Sequence, residues 1–450
     1  MRKAPPLPEN LSTVRAKPFW EATFEVELLT RLFGGGVEAR KLDPLCWLRP
    51  SALKSALRFW WRAAYGHLHP DLKSLRQREG ELFGSPGRFE NGKLKGGPGL
   101  VSVEVRSVTA PEPRSFVDPQ HSAFHSAYFA AALADPPSAL GLPGAVARVL
   151  LTVSALAPPS EETEKANGEA LEEILTALRL WLVLGGVGSR TRRGAGAIGL
   201  RDPQEAGKLG VPQEPVGLET FLRKVCSAKV TVHPGAFLLG RTLQVFLGRP
   251  SASAVAAHES LLDAIREARQ DRAHPPERRG PDGWGRSRWP EPDAIRLKVG
   301  PKRKWVHDPA SANSGRYPRA ALGLPIVFHF KTPPTEPANH VLTAACDTGR
   351  VRLARYPSPV ILRAVRTWEG NTPQAVPVAL FTRCTLPADA LAVIEEEGSE
   401  QARKDVEPKD LTAYRVTSEA PATLDRVMQP FRVAARGFKT LWPLTGDPDA

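Results

Sequence analysis

Between Leu182 and Leu200 the chain reads LVLGGVGSRTRRGAGAIGL, a stretch with six glycines, three arginines and no carboxylate. Glycine permits positive φ, and successive backbone N–H groups turned to one side form a concavity that holds anions. The guanidinium groups of Arg190, Arg192 and Arg193 match phosphate oxygens two at a time. With Gly188 and Gly194 on either side of these arginines, the stretch is expected to contact a polyanion. The plainer alternative is a glycine-rich helix end followed by a solvated basic turn. Gly194, Gly196 and Gly199 spell GxGxxG, but a dinucleotide loop follows a strand and opens a helix, whereas here a helical pattern comes first. A P-loop needs Lys and Ser/Thr after its last glycine, and Leu200-Arg201-Asp202-Pro203 offers neither.

A second cationic set lies in SALKSALRFWWRAAYGH, from Ser51 to His67. Helical spacing puts Leu53, Ala56, Leu57, Trp60 and Ala64 on one face, which is expected to be core. Lys54, Arg58 and Arg62 follow each other along the opposite face, with Trp61 and Tyr65 beside them. No carboxylate occurs between Asp43 and Asp71. Cations beside aromatic rings suit RNA, the cations taking phosphates and the rings stacking on bases. A solvated helix surface is the alternative.

No catalytic constellation is apparent. His67, His69, His121 and His125 lack metal-ligand spacing, and no nucleophile elbow or Ser/His/Asp order occurs. The four cysteines, Cys46, Cys226, Cys346 and Cys384, lie far apart with no CxxC, so neither zinc nor a disulfide framework is indicated. No metal and no cofactor is expected.

Elements of the right kind flank the cationic stretches. WEATFEVELL, Trp20 to Leu29, alternates as a strand does, and Leu100–Val105 and Ala147–Leu156 are further strands. A helix over Ala170–Leu184 carries the stripe Leu171, Ile174, Leu175, Leu178 and Leu182, and a short strand spans Ala197–Leu200. The order strand, helix, strand, strand, helix, strand is that of a ferredoxin-like (RRM-like) unit. No RNP signature lies on its middle strands, so RNA would meet loops and helix faces rather than the sheet. A Pro/Gly-rich linker is expected over residues 202–217. Beyond it, Lys229–Val232, Thr242–Phe246, Gly323–Phe330, Pro359–Val365 and Val376–Thr382 look like strands, and Ser251–Arg272 like an amphipathic helix. A basic segment from His274 to His307 carries Trp284, Trp289 and Trp305. The remainder holds an acidic patch (Glu395 to Glu397) and a helix expected over Ala422–Phe438. The fold class is therefore α+β, with domains over 1–217 and 218–385 and a C-terminal extension over 386–450.

The chain of 450 residues carries a formal net charge of +13, which favours nucleic acid as partner. No apolar run reaches membrane-spanning length, and no signal-peptide core is visible at the N-terminus, so a cytoplasmic location is expected.

Taken together, LRPSALKSALRFWWRAAYG, GELFGS and LVLGGVGSRTRRGAGAIG resemble the RAMP superfamily of CRISPR proteins, and the second-half segments WPEPDAIR, RAALGLPIVFHF and YPSPVILRAV extend the likeness to subunits of the type III-B Cmr complex. The likeness covers roughly residues 20 to 385. Two positions depart from the pattern: Thr30-Arg31 stands where Thr-Pro is usual, and Ser55 where the helix start usually has glycine. The resemblance implies two tandem ferredoxin-like domains with loop insertions and no nuclease activity. It also implies a place in a ribonucleoprotein effector, near the 3′ region of the guide RNA (crRNA) and its single-stranded target RNA, beside other RAMP subunits. Carried onto this chain, the contact positions are Lys54, Arg58, Trp61, Arg62, Gly188, Arg190, Arg192, Arg193 and Gly194. The alternatives are a RAMP endoribonuclease that processes guide RNA, using His67 or His121, and a purely structural subunit.

Overall fold

In the computed structural model, the described residues are 18–34, 41–43, 46–90, 93–115, 139–155, 160–226, 239–270, 289–299, 319, 322–324, 326–328, 330, 337–346, 351–353, 358–382, 391–396, 414–415, 428 and 438–441. The expected strand over 229–232, His121, His125, Trp284, Trp305 and Cys384 lie outside them, as does nearly all of the helix expected over 422–438.

Four strands form the first sheet: β1 (Trp20–Leu28), β2 (Val101–Ser107), β3 (Val146–Val153) and β4 (Ile198–Leu200). They lie in the order β2–β3–β1–β4, every neighbouring pair antiparallel. The alternation of β1 is realised directly: Phe24, Val26 and Leu28 are buried, while the glutamates between them face the other side. Helices α1 (Pro50–Tyr65), α2 (Leu72–Phe83) and α3 (Glu161–Leu184) connect these strands. α3 starts at Glu161 rather than Ala170. Ser160 and Thr163 form a reciprocal cap there, and Glu161, Glu162 and Glu164 complement the helix dipole of the first turn.

The stretch expected as a linker is largely helical: α4 (Pro203–Leu209) and α5 (Pro215–Cys226). Asp202 caps α4 by accepting from the Gln204 N–H, Pro203 occupies its first turn, and Gly210 ends it at φ 68°. Proline and glycine thus punctuate short helices here rather than open a flexible connection.

The second sheet comprises β5 (Thr242–Leu247), β6 (Val360–Glu369), β7 (Thr372–Thr382) and β8 (Lys439–Thr440). Its order, β6–β7–β5–β8, repeats that of the first sheet: second, third, first, fourth strand. α6 (Ala254–Gln270) packs on β6 and β7, and α7 (Glu291–Val299) lies between β5 and β6 in the chain. A further five-stranded sheet contains Ile326–Phe328, His340–Cys346, Val351–Leu353, Leu391–Glu396 and Tyr414–Arg415. Residues beyond 386 therefore supply strands to two sheets.

The main hydrophobic core runs through both halves. It joins Phe24, Trp61, Leu178 and Trp181 to Val245, Ile361, Val378 and Leu441. The edge strands β4 and β6 abut, with Arg363 Nη2 donating to the Ile198 carbonyl at 3.3 Å, and Arg366 Nη2 of β6 donates to the Glu27 carboxylate of β1 at 2.6 Å.

Candidate nucleic-acid interface

The Gly/Arg loop leaves α3 at Gly185 and enters β4 at Ile198. Its conformation is held by the segment between β1 and α1. Thr30, fully buried, donates its hydroxyl to the Gly194 carbonyl at 2.7 Å and accepts the Ala197 N–H at 2.8 Å. The Gly196 N–H reaches the Arg31 carbonyl, and the Ser189 N–H reaches that of Phe33, both at 2.8 Å. The contact to residue 31 uses a carbonyl, which a proline there would also present, so the Arg31 departure does not disturb it.

Six of the N–H groups in the expected anion cradle are turned to the protein itself. The N–H groups of Val187, Ser189, Arg193, Gly194, Gly196 and Ala197 all donate to oxygens of the protein itself. The glycines serve close packing instead. Gly194 sits at φ 82°, and a Cβ there would lie 2.6 Å from the His258 ring. Gly188, exposed at the loop tip, has φ 76°, and a Cβ there would strike Leu32 and the Phe33 carbonyl. Arg190 is held at φ 61°, a left-handed conformation that costs a residue with a Cβ roughly 1–2 kcal/mol.

The cationic charge of the loop lies in its arginine side chains. Arg190, Arg192 and Arg193 are each half-buried. The Arg192 guanidinium lies 5.8 Å from the centroid of the Phe59 ring on α1 and donates to the Ser358 carbonyl. Beneath the loop, Arg363 is fully buried, and burial pushes its pKa down to about 9, so it remains cationic at neutral pH. Among the described residues no carboxylate is hydrogen-bonded to it, and its Nε and Nη1 atoms have no hydrogen-bond partner.

On α1 the faces differ from the sequence expectation. Trp60 is core as expected, at 4% exposure, but Trp61 is also core, at 0%. The Trp61 Nε1–H donates to Glu173 on α3 at 2.7 Å, and Arg78 on α2 holds the other oxygen of that carboxylate. Trp61 therefore joins three helices, and its ring is not available to stack on a base. Tyr65 lies stacked against it, ring centroids 6.4 Å apart. Arg58 and Arg62 converge on one oxygen of the buried Glu79 of α2, at 3.2 and 2.6 Å. Arg58 also donates to the carbonyls of Phe83 and Gly84. The Arg58–Arg62–Glu79 trio by itself carries one excess positive charge. Arg62 is the more exposed of the pair, at 41% of its side chain against 30%. Lys54 donates to the Val101 carbonyl at 3.0 Å, and its pKa is lowered by burial and then by Arg58.

The family model of the RAMP superfamily matches residues 25–199, from within β1 to within β4. The whole chain is also similar to the crystal structure of apo Cmr1 from Pyrococcus furiosus, with 14% sequence identity, coverage of 94% of this chain and 99% of that one, and a TM-score of 0.47. A chain in the cryo-EM structure of type III-B Cmr-beta bound to cognate target RNA and AMPPnP, state 2, in the presence of ssDNA, is similar at 12% identity, 90% and 98% coverage, and a TM-score of 0.43. No curated protein matches the chain.

The outer face of the first sheet is poorly suited to RNA. Glu21, Glu25 and Glu27 line up on β1, and Glu25 binds both Arg148 and Arg201, which hold its carboxyl below the usual range. Phe59, Thr30, His258 and Arg363 were missed in the sequence. Thr30 precedes the glycine turn that marks the family likeness, and Phe59 sits inside the FWWR motif, so both carried a signal. His258 and Arg363 carried none. Among the described residues, no group of His, Cys, Asp or Glu converges as a metal site, and no helix is long and apolar enough to cross a membrane. His67 is half-buried, with its pKa lowered by burial.

Proposed function

We propose that this chain is a non-catalytic RNA-binding subunit of a type III-B CRISPR (Cmr) ribonucleoprotein effector, corresponding to the subunit designated number one. Its partners are then guide RNA, target RNA and neighbouring RAMP subunits. The observation that carries the proposal is the Arg192 guanidinium over the Phe59 ring, which brings the Gly/Arg loop and α1 to one surface. On that surface Arg190, Arg192, Arg193 and Arg62 supply cations, and the half-buried Phe59 takes the place expected for Trp61. The net charge of +13 supports a polyanionic partner.

Two ferredoxin-like units are part of the same proposal. Support comes from the shared strand order of the two four-stranded sheets and from the helix that follows the first strand of each. The division falls near residue 217, and β8 brings part of the 386–450 region into the second unit.

Purified protein titrated with labelled single-stranded RNA tests the function. Neutralising about four to six phosphates gives log K against log salt a slope of roughly −0.7 per phosphate. A flat salt response argues for a structural subunit, and metal-free cleavage of a CRISPR repeat RNA argues for the endoribonuclease.

A further inference from the structure

Three consecutive carbonyls of the Gly/Arg loop are drawn into the protein by donors from three separate elements. The Leu362 N–H on β6 takes the Arg192 carbonyl at 2.8 Å, the His258 ring on α6 takes that of Arg193 at 2.7 Å, and the Thr30 hydroxyl takes that of Gly194 at 2.7 Å. A carbonyl only accepts, so His258 is the donor and its Nε2 carries the proton. Two of these three donors belong to the second half of the chain. The His258 ring fills the space that a side chain at residue 194 would need. The imidazole is buried, with Arg31 and Arg363 as its charged neighbours from the β1–α1 segment and β6.

The direction of these carbonyls matters for an anion. A carbonyl oxygen is the negative end of the peptide dipole, and beside a phosphate it repels. Turning the oxygens inward leaves the outer side of Arg192–Arg193 to guanidinium groups. We propose that His258 is a positioning residue for RNA: it holds the Arg193 carbonyl away from the RNA phosphates, so that the affinity of a loop in the first half is set by the second half. This rests on the RNA-binding function proposed above.

The test uses the full-length chain and a fluorescein-labelled oligo(U) RNA, read by fluorescence anisotropy, with circular dichroism reporting the fold. His258→Gln keeps an N–H donor near the position of Nε2, whereas His258→Phe keeps the ring and removes the donor. The expected result is a loss of roughly five- to tenfold in affinity for His258→Phe, the scale of one hydrogen bond, with His258→Gln close to the unaltered chain. If His258→Phe does not fold, His258→Ala takes its place, because it removes the donor without crowding Gly194. Folded donor-free protein that binds with full affinity overturns the proposal, and so does a Gln variant as weak as the donor-free one. Arg192→Glu with Arg193→Glu, measured in parallel, separates the two ideas. If that variant loses binding while His258→Phe does not, only the role of His258 fails. If it retains full binding, the loop is not an RNA surface and the positioning role falls with it.

Discussion

Trp60 and Trp61 show what a single residue's spacing can and cannot reveal. Helical periodicity places one buried arc on α1 and puts Trp61 outside it. That holds for a helix covered on one side, but α1 is covered by the sheet on one side and by α2 and α3 on others, so its buried arc is wider. Trp61 at 0% exposure, hydrogen-bonded to Glu173, is the result. Trp61→Ala should therefore lower stability by about 3–5 kcal/mol, the usual cost of removing a buried large aromatic. Denaturant unfolding checks it. A variant of nearly unchanged stability that has lost RNA affinity would return Trp61 to the binding surface. Arg363 was equally illegible. A lone arginine in a strand pattern suggests an outward-facing position, and only the abutment of β4 and β6 buries it.

At the scale of elements, the Gly/Arg loop and α1 were both identifiable as cationic from their sequences, but their partners were not. Glu79 lies 21 residues from Arg58 and 17 from Arg62, beyond the reach of any pattern within one helix. That pairing makes the two arginines unequal. Arg62→Ala should weaken RNA binding and cost less stability than Arg58→Ala, because Arg58 remains on the Glu79 carboxylate. Arg58→Ala removes the donor to the Phe83 and Gly84 carbonyls and should cost about 1–3 kcal/mol. Equal stability losses in thermal unfolding of the two variants would contradict this difference.

The tie between the loop and α6 should also register in acid. Burial, and then the charges of Arg31 and Arg363, hold His258 down at about 4 from an ordinary 6.5, against the hydrogen bond to Arg193 that acts to raise it. The unfolded chain then binds a proton near pH 6.5 that the folded chain refuses until about pH 4. This contribution is complete above the unfolded value and is lost as pH falls between the two, to a limit of about 3 kcal/mol. Unfolding measured over that interval should therefore steepen less with acid in His258→Gln than in the unaltered chain. Parallel pH profiles for the two proteins would mean that His258 is not held neutral by burial.

For the molecule as a whole, the first sheet was legible and the second only in part. β1, β2 and β3 each carry enough residues for alternation to be read, and α3 carries a long apolar stripe. β8 has two residues and pairs with a strand almost two hundred positions earlier, a contact no local period reveals. The continuity of the core through both halves was hidden for the same reason, since it depends on how two sheets meet rather than on either one. That continuity is also what lets α6 and β6 reach the Gly/Arg loop. The central claim is that this loop, braced from both halves, binds RNA through its arginines and the phosphate backbone. Arg192→Glu with Arg193→Glu, titrated against several unrelated single-stranded RNAs at two salt concentrations, tests it most directly. The account predicts a similar loss of affinity for every RNA and a shallower salt slope in a protein that remains folded. A folded variant that binds with full affinity and an unchanged slope would contradict it.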